Sequence, residues 1–132
     1  MKQALVLFAH GSRDARWAAP FLRLQEMLRT LLPEVAVELA FLELMEPRLP
    51  GLVDRLAGEG VDALSVVPVF LGQGGHVLRD LPVLVEAARA EHPAMQINLA
   101  EAVGENEAVL RAIAIYCSDS LQQSPLPLAG EG

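Results

Sequence analysis

Residues 66–82, VVPVFLGQGGHVLRDLP, decide how this chain folds. A β-branched, apolar run passes into a loop of three glycines, the loop presents His76, and helix-forming sequence follows. An apolar strand feeding a glycine loop and then a helix is the half-unit of a parallel α/β sheet. The same grammar occurs at the chain start in ALVLFAHGSRD, residues 4–14, where the strand delivers His10 onto Gly11.

Working outward, the run ALVLFA (4–9) reads as a strand buried on both faces. Trp17, Phe21, Leu24, Leu28 and Leu31 then recur at three- and four-residue steps, predicting a helix that stops near Pro33. A second strand is predicted over 35–44, VAVELAFLEL, and a second helix with Leu49, Leu52, Val53 and Leu56 on one face, closed by Gly58 and Gly60. The third strand, ALSVVPVFL (63–71), contains Pro68, which cannot donate to the ladder and predicts a local irregularity. Asp80 reads as the N-cap of the third helix, with Pro82 in its first turn. A fourth strand, MQINLAEA (95–102), leads to a last helix whose Leu110, Ile113, Ala114, Cys117 and Leu121 form one stripe. Residues 1–123 thus read as a single domain. The proline- and glycine-containing tail 124–132 reads as disordered.

Four β-α repeats predict a doubly wound, four-stranded parallel sheet with helices on both faces. Right-handed crossovers and the common doubly wound order give 2-1-3-4. The winding direction reverses between strands 1 and 3, and ligands bind at the crevice beyond the carboxyl ends of such a pair. His10 and His76 follow those two strands. Either histidine alone reads as a structural side chain satisfied by nearby backbone; together at one crevice they read as metal ligands or proton acceptors. His92, before a proline at a helix end, reads as an exposed loop residue.

Composition narrows the chemistry. A net charge of −7 over 132 residues excludes a general nucleic-acid surface. One cysteine, Cys117, excludes an intramolecular disulfide or a cysteine-zinc cluster, and packing in a core or interface is its expected role. No apolar run reaches the roughly 20 residues of a membrane span, so a cytoplasmic, non-membrane protein is expected. Hydrophobic residues make up 52% of the chain, more than one small core needs, which predicts an apolar interface and a homo-oligomer.

GQGGH matches neither GxGxxG nor a P-loop, so nucleotide binding is weakly supported. Its glycines, Gly72, Gly74 and Gly75, permit positive φ angles and close approach of a ligand. Glu43 and Glu46 follow strand 2, adjacent to strand 1, and either can reach the same mouth as a ligand or base; Glu46 is equally explained by the positive end of the helix dipole. Arg13, Arg48 and Arg79 follow strands 1, 2 and 3, where they would rim that face as anion contacts.

Three motifs, LVLFAHGSRD, AFLELMEP and VVPVFLGQGGHVLRDLP, resemble in order and spacing the small class II tetrapyrrole chelatases of the CbiX type, the sirohydrochlorin chelatases. The resemblance spans about residues 4–120, and the third motif is its most specific part. It implies a lyase that inserts Co²⁺ or Fe²⁺, with Ni²⁺ also compatible with imidazole, into sirohydrochlorin in cobalamin or sirohaem synthesis. The metal would be a substrate, with no permanent cofactor. It further implies metal binding by His10 and His76 and a homodimer that holds the macrocycle between its two domains. Glu43 joins the histidines as a candidate catalytic group. Ser12, Arg13, Arg48, Gly72, Gly74, Gly75 and Arg79 are candidate contacts to the macrocycle and its eight carboxylates. Some family members carry a histidine-rich segment, and this tail has none. The rival readings are a phosphocarrier-type domain phosphorylated on His10 and a metal carrier without turnover. A histidine phosphatase is disfavoured by Ala9, where that family's motif has arginine.

Overall fold

The computed structural model describes residues 1–122, so the tail predicted to be disordered lies outside the described residues. Its strands are β1 (Gln3–Ala9), β2 (Ala36–Phe41), β3 (Ala63–Pro68) and β4 (Gln96–Leu99). The helices are α1 (Ala19–Leu31), preceded by a 3-10 turn at Ala15–Ala18, α2 (Leu49–Gly58), α3 (Gly75–Glu91) and α4 (Glu107–Asp119). All strand pairs are parallel and the order is β2-β1-β3-β4, as the doubly wound reading predicts.

Alternation along the strands divides the core. Val6, Phe8, Ala40, Leu64, Val66 and Ile97 face one side, against Leu49, Leu52, Val53 and Leu56 of α2 and Leu81 and Val85 of α3. Leu7, Ala9, Leu39 and Phe41 face the other, against Trp17, Phe21, Leu24 and Leu28. Burying both faces of the central strands removes their apolar area from water at roughly 25 cal/mol per Å² and explains why β1 shows no polar alternation after Gln3. Gln25 is the polar group buried on the α1 side; its Nε2 donates to the Val37 carbonyl at 2.8 Å, so its burial leaves no unmet donor there.

Several boundaries differ from the sequence reading. Strand β2 ends at Phe41 rather than 44; beyond it the Leu42 and Glu43 N–H groups still donate to the carbonyls of Ala9 and His10 as the chain bends away. Strand β3 ends at Pro68 instead of running on to Leu71, although the Val69 N–H still donates to the Phe8 carbonyl of β1 at 2.8 Å. Leu31 is 72% exposed, at the end of α1 beyond the sheet.

The largest shift is at α3. Its N-cap is Gly74, not Asp80, and Pro82 lies inside the helix. Val77, Leu81, Val85 and Ala88, spaced by four, four and three, are all buried. That stripe draws the whole segment 75–91 onto the sheet and outweighs the one backbone bond that an exposed Pro82 forgoes. In α4 no residue is buried and Cys117 is exposed, so the stripe through Leu110, Ile113 and Cys117 is not buried among the described residues.

Candidate functional site

The turn after β1 places His10. Gly11 adopts φ +105°, and a Cβ there would lie 1.8 Å from the Glu43 carbonyl oxygen, so only glycine permits the approach. That approach carries the loop after β2 against the loop after β1: the Glu43 N–H donates to the His10 carbonyl at 3.0 Å. The side chains meet as well, with His10 Nε2 2.9 Å from Glu43 Oε1, both just under half exposed. Leu44, at φ +69°, occupies the left-handed region in the same turn.

His76 lies in the first turn of α3, beyond the end of β3. Its Nε2 is 3.2 Å from Asp80 Oδ2, one helical turn on, and Arg79 Nε lies 3.7 Å from the other oxygen of the same carboxylate. The two histidines therefore follow adjacent parallel strands, each with a carboxylate partner. Asp80, assigned to capping from the sequence, is instead the partner of His76; the i,i+4 spacing on a longer helix was the available signal.

The glycine loop behaves differently from expectation. Among the described residues the positive-φ glycines are Gly11 and Gly60, so Gly72, Gly74 and Gly75 use ordinary backbone angles. A Cβ on any of the three would meet nothing within 4 Å, which leaves open space over the loop backbone. The loop is anchored on each side: Phe70 packs edge-on against Phe8, and the Phe70 carbonyl accepts from the Gly104 N–H at 2.9 Å. Gly104 is itself required, since a Cβ would lie 1.8 Å from the Leu71 carbonyl oxygen, a constraint no local sequence signal marked.

The remaining candidates take more ordinary places. Ser12 Oγ accepts from the Asp14 N–H at 3.1 Å, and Asp14 caps the 3-10 turn by accepting from the Arg16 N–H. The Arg16 guanidinium on the Asp14 side chain, with that backbone bond second, holds the Asp14 carboxyl below the usual range. Glu46 accepts from the Arg48 N–H at 3.0 Å ahead of α2, which supports the structural reading of Glu46. Arg13, Arg48 and Arg79 do follow β1, β2 and β3 at the strands' carboxyl ends, and Arg13 and Arg79 are exposed, as is Arg48.

Among the described residues, the group of three ligand types with atoms mutually within 4.8 Å is Asp54, Glu91 and His92, on α2, at the end of α3 and in the turn before β4 rather than at the carboxyl ends of the strands. His92 is therefore not simply exposed: it caps α3, and its Nε2 lies 2.7 Å from Asp54 Oδ1. His10, Glu43 and His76 do not close into such a group. Nor do the hollows of about 250 and 510 Å³ include either site histidine; the first runs beside the glycine loop past Gln73 and Val77, the second along β2 past Met45 and Glu46. Both histidine side chains are solvent-accessible beyond the carboxyl ends of β1 and β3.

The family model described as CbiX matches residues 4–119. The chain belongs to the CbiX family. This CbiX-family chain is 38% identical over 82 residues to the sirohydrochlorin cobaltochelatase of Methanopyrus kandleri, covering 62% of this chain and 57% of that one. It is 26% identical over 113 residues to the sirohydrochlorin ferrochelatase of Bacillus subtilis, covering 86% and 43%. With the cobaltochelatase of Sulfurisphaera tokodaii it shares 28% over 120 residues, 91% of this chain and 95% of the relative. The chain thus spans about half the length of the first two and nearly all of the third. Among solved structures, the CbiX protein of Marinobacter aquaeolei superposes with a TM-score of 0.80 at 38% identity, covering 92% and 99%. The sirohydrochlorin chelatase SirB of Bacillus subtilis subspecies spizizenii, solved with cobalt, gives 0.75 at 27% identity, covering 90% of this chain and 51% of SirB.

Proposed function

We propose that this chain, as a single domain over residues 1–123, inserts a divalent metal, Co²⁺ or Fe²⁺, into sirohydrochlorin and works in the cytoplasm as a homodimer. The observation that carries the reading is the delivery of His10 and His76 beyond the carboxyl ends of adjacent parallel strands in a CbiX-family chain. The relatives named cobaltochelatase and ferrochelatase supply the substrate class, and no helix among the described residues is long and apolar enough to cross a membrane.

The chemistry follows from the pairs. Insertion replaces two pyrrole N–H protons by one M²⁺ and releases two protons. With Glu43 ionised, His10 Nε2–H donates to it and the Nδ1 lone pair is left for a ligand or a proton; Asp80 does the same for His76. Two imidazoles hold a divalent ion less firmly than a closed four-ligand site, so the ion can be passed on. Each histidine-carboxylate pair then accepts one of the two released protons. In this reading the open backbone at Gly72, Gly74 and Gly75 admits the flat ring, and Ser12, Arg13, Arg48 and Arg79 contact its carboxylate arms.

The test is anaerobic incubation with sirohydrochlorin and Co²⁺ or Fe²⁺, following the absorbance change on insertion. A rate above buffer, lowered by about 100-fold or more in His10→Ala and His76→Ala, is expected. A wild-type rate equal to buffer would leave a metal carrier without turnover. Full activity in both variants would remove the assigned roles. The phosphocarrier reading of His10 is not favoured, since it leaves His76 without a task and family membership points elsewhere.

A further inference from the structure

A second group of ligand-type side chains, unused by the proposed reaction, gathers at the other end of the sheet. His92 is the C-cap of α3 and precedes β4, so it stands at the amino ends of the strands. A six-residue strand at about 3.3 Å per residue puts the carboxyl ends, where His10 and His76 emerge, about 20 Å away. Asp54 of α2 and Glu91, the last residue of α3, join His92, and one donor atom from each of the three lies within 4.8 Å of the other two.

The negative charge of this cluster is not balanced by a neighbouring base. Among the described residues neither Asp54 nor Glu91 forms an ion pair with a lysine or arginine; the arginines of the two helices are engaged elsewhere, Arg55 with Glu38 and Glu59, Arg79 with Asp80, and Arg89 with Glu86 and the Ile97 carbonyl. Carboxylates this close repel each other, and the carboxyl end of a 17-residue helix favours a cation as well. His92 is held in place by its backbone. Its N–H donates to the Ala88 carbonyl at 3.0 Å, its carbonyl accepts from the Met95 N–H at 3.0 Å, and its Nε2 lies 2.7 Å from Asp54 Oδ1 with the side chain only 22% exposed. A hollow of about 40 Å³ between α2 and α3, walled by Pro50, Val53, Leu84 and Ala88, reaches all three side chains. That is room for one water-sized ligand, whose share of liquid volume is about 30 Å³.

We propose that Asp54, Glu91 and His92 form a metal site separate from His10 and His76, for a divalent first-row transition ion that clips α2 to the end of α3. One imidazole and two carboxylates fill three positions of a zinc-like ion and leave the fourth to water. The nitrogen donor selects Co²⁺, Ni²⁺ or Zn²⁺ over Mg²⁺ and Ca²⁺, which take oxygen shells. Both carboxylates are exposed and can turn, so the donors close onto one ion at about 2.0–2.2 Å. Binding uses the Nε2 lone pair, which puts the ring proton on Nδ1 and exchanges the Asp54 hydrogen bond for a bond to the ion. The site stands whether or not the chain inserts metal.

The test uses the untagged full chain carrying His10→Ala and His76→Ala, which leaves His92 as its only histidine. Calorimetric titration with Co²⁺ or Zn²⁺ is expected to show one ion bound per chain, and Zn²⁺ to shift the ring nitrogen resonances of His92. At about a hundredfold excess over the dissociation constant the melting temperature rises by about 5–15 °C. His92→Gln and Asp54→Asn, each added to that background, abolish the binding and the rise; Glu91→Gln, at an exposed helix end, replaces either one that folds poorly. A parent chain that binds neither ion overturns the site and leaves an imidazolium ion pair in its place. Binding that leaves the His92 resonances unmoved, or that survives the substitutions, lies elsewhere and also overturns it. Mg²⁺ or Ca²⁺ bound as tightly as Co²⁺ overturns the assignment to a transition ion.

Discussion

Gly11 and Glu43 show how one residue type sets the site. The backbone of Gly11 lies where any side chain would strike the Glu43 carbonyl, and that closeness allows Glu43 to reach His10. Gly11→Ala combines a steric clash with a left-handed φ, and we expect a loss of about 2–4 kcal/mol in chemical denaturation, with the proposed metal insertion lost along with it. Glu43→Gln keeps the shape and removes the charge. If Glu43 orients His10 and helps accept its proton, metal affinity or insertion rate falls by about 10–100-fold while the melting temperature stays within a few degrees. A variant at wild-type rate would return Glu43 to a structural role. Asp14 gives a pH consequence. Its pKa is lowered in the fold, so its contribution is present above the unfolded carboxyl pKa and is lost as pH falls through the lower, folded value. Arg16→Ala should move that carboxyl titration back upward, measurable by NMR.

At the scale of elements, α3 is the instructive case. Local signals favour a start at Asp80, because aspartate caps and proline suits a first turn. Four buried apolar residues from Val77 to Ala88 set a longer register, and the helix accepts an internal proline to obtain it. Pro82 is exposed, so replacing it leaves the packing intact. Pro82→Ala is expected to stabilise the fold by about 1–3 kcal/mol in urea unfolding, by restoring an N–H to the helix. If Asp80 were the cap instead, the same substitution would have little effect. The longer helix also carries His76 out of the loop and onto a turn shared with Asp80.

Across the whole molecule, the sheet order does the positioning. Pairing β1 with β3 puts residues separated by more than sixty positions at one edge, and the core on the α2–α3 side holds them there. Leu56 lies at the centre of that core with no exposure, and Leu56→Ala is expected to cost about 2–5 kcal/mol in denaturant unfolding. Being distant from both histidine pairs in the sequence and on the face of α2 turned to the sheet, it should alter stability while leaving the insertion rate of the folded fraction unchanged.

Much of this was legible in the linear sequence. Apolar runs of four to nine residues marked buried strands, three-and-four spacing marked α1 and α2, and the alternation of the two fixed strand order through the handedness of crossovers. These are local patterns with a global consequence, so His10 and His76 could be assigned to neighbouring strands before any coordinates. Contacts between loops were not legible, because they depend on where two backbones meet rather than on what either contains. The Gly11–Glu43 approach, the His76–Asp80 pair within a helix longer than its caps suggested, and the Gly104–Leu71 contact are of this kind. The apolar stripe of α4 was visible in the sequence, yet only the tertiary structure showed that it is not buried among the described residues, since burial is a property of the neighbours and not of the helix.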